Sequence, residues 1–136
     1  MLHDRAILYV EDDFLSREAL EVVLRRVMGI EDLWVFEDSA DFVNRLRTLP
    51  RRPDIVLLDI NMKPYSGIEL LKMLRGEPEY QEVVTIALTA SVMSEQMEQL
   101  RRSGFNGAIG KPIDVGTFPE LIERAIRGEP IWSIAA

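Results

Sequence analysis

The chain has 136 residues, 47% of them hydrophobic and 29% charged, with a formal net charge of -7. These are the values of one ordinary globular domain; they exclude disordered and collagen-like chains, and the acidic balance excludes a general phosphate-backbone binder, so no direct nucleic-acid contact is expected. With no cysteine there is no disulfide frame, thiolate metal site or cysteine nucleophile, and the only histidine, His3, lies beside the N-terminus, so chemistry needing an imidazole has to borrow it from another molecule.

The N-terminus, MLHDRAILYVEDD, lacks the basic, apolar and small-residue segments of a secretory signal, and no stretch approaches the roughly 20 apolar residues of a membrane helix. A cytoplasmic protein with no membrane partner is expected. Ala6 to Val10 reads as a first strand ended by Glu11, Asp12 and Asp13. Helical spacing of Leu20, Val23, Leu24 and Val27 predicts a helix from about Ser16 to Met28, with Gly29 as its terminator. Leu33 to Phe36 predicts a second strand, and Ser39 is placed to cap a helix carrying Phe42, Val43, Leu46 and Leu49 inward.

Ile55 to Leu58 is a third strand, apolar throughout as in a sheet covered on both faces, and it runs straight into Asp59. A helix over Ile68 to Leu74 follows, with Gly76 at its end. Val83 to Leu88 predicts strand four. Ser94 to Arg102 predicts a helix with Met93, Met97 and Leu100 on its buried side, Gly107 to Ile109 a fifth strand, and Val115 to Arg127 the last helix. Five strands alternating with helices imply an α/β doubly wound parallel sheet with helices on both faces. Residues 1–128 form one domain, and 129–136 a short C-terminal tail, in which Ile131, Trp132 and Ile134 make a small apolar group. Docking on the last helix, joining a homodimer and remaining loose are all open to it.

In such sheets ligands collect outside the carboxyl ends of the strands. There the sequence puts Glu11, Asp12 and Asp13 after strand one, Asp59 and Asn61 after strand three, Thr89 and Ala90 after strand four, and Lys111 and Pro112 after strand five. If strands one and three are neighbours, their acids converge and require a cation. Mg²⁺ suits the case, since it takes one or two carboxylates plus carbonyl and water oxygens at about 2.1 Å. Lys111, one of only three lysines, is a compact ammonium suited to a phosphoryl group; Thr89 can donate a hydroxyl hydrogen bond to the same group, and Ala90 leaves room above it.

ILYVEDD, LLDINM with Gly67, ALTA and GKP, in this order and each at its own strand end, resemble the receiver domain of two-component response regulators over about Arg5 to Arg127. The resemblance implies a flavodoxin-like fold with strand order 2-1-3-4-5, the order for which the chemotaxis receiver is a standard example. It implies that Asp59 accepts a phosphoryl group from a histidine kinase or histidine phosphotransfer protein, with Asp12 and Asp59 as Mg²⁺ ligands, Glu11 acting through water and Asn61 through its backbone carbonyl. Thr89 would be the switch hydroxyl and Lys111 the amine that precedes a cis bond at Pro112. Asp13 falls one place beyond the acidic pair and reads as a helix N-terminal acid. In two places the chain departs from the pattern: Ala108 stands where receivers usually carry an aromatic, and Lys63 stands where they usually carry a proline, with Pro64 next.

A stand-alone receiver, a signalling module and not an enzyme, is therefore expected. Nine residues after the last helix leave no room for an output domain, so its output is a downstream target protein. A receiver-fold module that binds partners without phosphorylation is the alternative, motivated by Ala108. A Mg²⁺-dependent phosphohydrolase is disfavoured, because Asn61 cannot serve as the acid such enzymes place two residues after the nucleophile.

Overall fold

The computed structural model of the protein describes residues 2–91 and 93–133. β1 (Ala6–Val10) leads into α1 (Phe14–Val22), which continues as a π-helical stretch over Val23–Val27. β2 (Asp32–Phe36), α2 (Phe42–Arg47), β3 (Ile55–Asp59) and α3 (Gly67–Arg75) follow. The second half contains β4 (Val84–Thr89), α4 (Ser94–Ser103), β5 (Gly107–Gly110), α5 (Phe118–Ile126) and β6 (Ile131–Ser133).

The strands form one parallel sheet in the order β2-β1-β3-β4-β5-β6. The expected flavodoxin-like order 2-1-3-4-5 is present, but the sheet has six strands instead of five. Three residues just beyond a helix carry no periodicity that a sequence can show; what makes them a strand is the edge they meet. Gly107 pairs with Ile131, Ala108 with Trp132 and Ile109 with Ser133. At Gly107 a Cβ would collide with the Ile131 carbonyl, so the bare glycine is what admits β6. Ile134 lies outside the described residues.

Every residue of β1 and β3 is buried, which explains why these strands are apolar without alternation. Successive side chains still point to opposite faces. Leu8, Val10, Val56, Leu58, Ala87 and Ala108 enter the core beneath α2, α3 and α4. Ile7, Tyr9, Leu57, Ile86, Leu88 and Ile109 enter the one beneath α1 and α5.

Several helix starts differ from expectation. Ser39 does not cap α2: Asp41 takes that position with φ 50°, in the left-handed region that Asp tolerates, while Ser39 is fully buried and accepts the Tyr65 N–H at 2.8 Å. Met93 is not core; it stands ahead of α4 and is 67% exposed, whereas Met97 and Leu100 are buried. α5 begins at Phe118 instead of Val115: residues 115–117 form a turn on the Asp114 carbonyl, which accepts the Thr117 and Phe118 N–H groups, and Pro119 has no N–H to bond back to Val115 and join that turn to the helix. α3 starts on a reciprocal cap, in which Ser66 Oγ accepts from the Glu69 N–H and the Glu69 carboxylate accepts from the Ser66 N–H.

Candidate functional site

Strand order reverses at β1, which lies between β2 and β3. A crevice is expected at the carboxyl ends beside such a reversal. Register aligns the strand ends there: Val10 faces Leu58, Asp59 faces Leu88, and Thr89 faces Gly110. Alternation then assigns each side chain to a row. Asp59 continues the row of Leu57, and Glu11 and Lys111 follow Tyr9 and Ile109 by two residues; Thr89 continues the row of Ala87, toward α4.

The consequence is a three-residue ionic centre. Lys111 Nζ donates to Glu11 Oε1 and to Asp59 Oδ1, each at 2.6 Å. Glu11 is fully buried and Asp59 is 5% exposed, so one ammonium neutralises part of two desolvated carboxylates. Glu11 also accepts from the Tyr9 hydroxyl at 3.2 Å and the Asp13 N–H at 3.3 Å. Exposed Asp12 completes the acidic group: Glu11, Asp12 and Asp59 each offer a carboxylate oxygen within 4.8 Å of the others.

Burial pushes the Asp59 carboxyl up to about 6; the Lys111 bond opposes this and the Glu11 charge adds to it. For Lys111, burial works against the charge, but the bonds to Asp59 and Glu11 prevail and hold the ammonium above the usual lysine range. Burial, reinforced by Glu11, raises the Tyr9 hydroxyl far above its ordinary value, making it a neutral donor.

The other expected residues lie outside this ionic contact. Thr89 Oγ1 does not bond Asp59; it donates to the Ser91 carbonyl and accepts the Ser91 N–H, both at 3.1 Å. Ala90, beside it, is exposed. Asn61 is exposed on the β3–α3 loop, which approaches the acids where the Lys63 N–H meets Asp12 Oδ2 at 3.4 Å. The Lys111–Pro112 peptide is cis, as the resemblance implies, and so is Lys63–Pro64. Asp13 caps α1, accepting the Ser16 N–H at 2.9 Å, which lowers its pKa. Ala108 is buried next to Trp132 and away from the ionic centre.

Four supporting residues were not singled out from the sequence for the work they do here. Tyr9 holds Glu11, and its signal was a lone hydroxyl in an apolar strand, two places before the acid and hence in its row. Arg17 donates to the Glu11 carbonyl at 3.0 Å. Ser39 fixes the β3–α3 loop through Tyr65. Gly67 lets α3 approach, since a Cβ there would lie 2.5 Å from the Asp59 carbonyl oxygen.

A family model described as the response regulator receiver domain matches residues 7–123. The polar-differentiation response regulator DivK of Brucella anthropi is 39% identical over 72 residues, which are 53% of this chain and 58% of that protein. The matched part is thus little more than half the length of the curated relatives. Among solved structures, the chemotaxis protein CheY4 of Vibrio cholerae aligns over 89% of this chain and 98% of its own, with 21% identity and a TM-score of 0.79. The receiver domain of the sensor histidine kinase PA1611 of Pseudomonas aeruginosa, solved with a magnesium ion coordinated in its active-site cleft, aligns over 90% of this chain and 98% of its own, with 24% identity and a TM-score of 0.79. These two share the fold, and the match over residues 7–123 assigns the family: the chain belongs to the response regulator receiver domains of two-component signalling.

Proposed function

We propose that Asp59 accepts a phosphoryl group from a phosphohistidine, carried by a histidine kinase or a histidine phosphotransfer protein, and that the modified domain changes its affinity for a downstream target protein. The observation that carries this reading is the paired 2.6 Å contact of Lys111 Nζ with Glu11 and Asp59, at the open end of the sheet and beside a third acid. A carboxylate oxygen of Asp59 attacks phosphorus, the P–N bond breaks, and its electron pair returns to the donor imidazole. Hydrolysis later cleaves the acyl phosphate at phosphorus, releasing inorganic phosphate and restoring the carboxylate. The chain's lone His3, outside this site, is not needed as donor.

The three clustered acids are hard oxygen donors of the kind Mg²⁺ selects, so the residues fit that ion. Asp12 and Asp59 would hold it directly, Glu11 through water, and Asn61 through its backbone carbonyl. Bound there, Mg²⁺ supplies charge neutralisation to the phosphoryl oxygens. Lys111 Nζ stays with Asp59 and pairs with a phosphoryl oxygen as negative charge accumulates. Thr89 exchanges its bond to Ser91 for one to the phosphoryl group, beside the small Ala90. Buried Glu11, held by Tyr9, keeps Lys111 oriented.

Among the described residues no helix is long and apolar enough to cross a membrane. To test the reading, the protein and Asp59→Asn are incubated with acetyl phosphate, with and without Mg²⁺, and intact mass is followed. A Mg²⁺-dependent adduct on the unaltered protein alone is expected; its absence overturns the proposal. A phosphorylation-independent interaction module, favoured by the small Ala108, would form the adduct without a change in partner binding.

A further inference from the structure

The outward face of α1 carries apolar side chains where an amphipathic helix carries polar ones. Leu15, Val22 and Val27 are 75%, 50% and 58% exposed, and Ala19 is exposed between the first two. Helical spacing puts Leu15, Ala19 and Val22 on one face. In an unbroken α-helix Val27 would turn inward, on the side of Val23 and Leu24. The π-helical turn, closed by the Met28 N–H on the Val23 carbonyl at 3.0 Å, rotates the chain less per residue and brings Val27 above Val22 instead. One continuous apolar stripe therefore runs along the helix, and Val115, 50% exposed, extends it across the groove it lines together with Ala19.

The charges beside the stripe indicate what covers it. Arg17 donates to the Glu11 carbonyl at 3.0 Å, and Glu21 pairs with Arg25 at 3.2 Å. Glu18 and Arg26 are both exposed and, among the described residues, make no ion pair. They lie on the same flank of the stripe, one toward each end, with Val22 midway between them. A second α1 laid antiparallel about a twofold axis at Val22 sets Leu15 against the partner's Val27 and each Glu18 against the partner's Arg26. A parallel arrangement would set Glu18 against Glu18 and Arg26 against Arg26. Antiparallel packing also opposes the two helix dipoles favourably.

We propose that the exposed stripe of α1 is the interface of an isologous homodimer, in which two copies of this chain pack their α1 helices antiparallel about a twofold axis near Val22. The apolar side chains meet along the seam, and two symmetry-related Glu18–Arg26 pairs close one flank and fix the register. One helix face per copy is a small contact, so the dimer exchanges with monomer. The interface is independent of the role of Asp59.

Sedimentation equilibrium of the whole protein, without phosphoryl donor, tests this; a reversible monomer–dimer equilibrium is expected between about 10 µM and about 1 mM. Glu18→Arg and Arg26→Glu, each alone, set like charges opposite one another at both ends of the seam and are expected to weaken the dimer about tenfold. An equimolar mixture of these two variants puts opposite charges back in both places, and is expected to recover the association of the unaltered protein. Val22→Glu brings two carboxylates together at the twofold axis and is expected to leave only monomer, while thermal melts of each variant confirm that it is folded. A protein that stays monomeric at the highest concentration overturns the proposal and leaves the stripe to a different protein. Single charge variants that associate as well as the unaltered chain, a mixture no stronger than its components, or a persistent Val22→Glu dimer overturn it equally.

Discussion

Lys111 Nζ stands 2.6 Å from Asp59 Oδ1 and 2.6 Å from Glu11 Oε1, across sequence separations of 52 and 100 residues. The three strands that end at or one residue before these positions are held in register by the sheet, so the fold, rather than local sequence, makes the contact. Lys111→Met leaves two buried carboxylates without their cation and is expected to destabilise the metal-free protein by about 3 kcal/mol. Urea denaturation measures this loss. Adding Mg²⁺ should narrow the difference from the unaltered protein, because the added cation stabilises the acids that lost their ammonium.

Asp59 makes stability fall with rising pH. Its folded-state pKa is raised from 3.8 to about 6, so between these values the native state keeps a proton that the unfolded chain releases. The resulting destabilisation develops as pH rises through this window and is fully present above it. Asp59→Asn removes the titration, while its amide oxygen can still accept from Lys111. In metal-free buffer the variant is expected to exceed the unaltered protein by about 1 kcal/mol at pH 7, after allowing for screening by water at the strand end. The difference should shrink as pH falls from about 6 to about 4, as followed by thermal melts across that range.

Gly67 and Gly76 separate a packing requirement from a glycine effect. At Gly67 a Cβ would lie 2.5 Å from the Asp59 carbonyl oxygen, whereas at Gly76 the nearest atom, the Met73 carbonyl oxygen, is 3.4 Å away. Gly67→Ala is expected to cost about 2 kcal/mol through forced backbone movement. Gly76→Ala, at a helix end with ordinary φ, is expected to change stability by less than about 1 kcal/mol. Denaturation midpoints of the two variants provide the comparison.

Tyr9→Phe removes a buried hydroxyl donor but leaves Glu11 bonded to Lys111 and the Asp13 N–H. A loss of about 1 kcal/mol in urea denaturation is expected. With Glu11 less fixed, the rate of adduct formation should fall while the acetyl phosphate concentration for half-maximal rate stays near its original value.

Residues that act where the chain leaves a strand were legible in the sequence. Asp59 and Lys111 each follow a short apolar run, and parallel topology carries such positions to one edge. Contacts created by tertiary packing were less so. β6 consists of three residues and depends on the bare surface of Gly107, a fit invisible to periodicity. Ser39 precedes an apolar helix like a cap, yet the left-handed turn at Asp41 frees it to hold Tyr65 instead. Met93 matches the helical spacing of Met97 and Leu100, but the helix starts one residue later and leaves it in solvent.

Where the phosphoryl group resides is the most direct question for the proposed function. After treatment with acetyl phosphate and Mg²⁺, borohydride reduction converts an acyl-phosphorylated aspartate to homoserine, and peptide mass mapping locates it. Homoserine at position 59, dependent on Mg²⁺ and absent at positions 12 and 13, is the expected result. Modification confined to another acid, or no reduction product despite a phosphorylated protein, would contradict the assignment of Asp59.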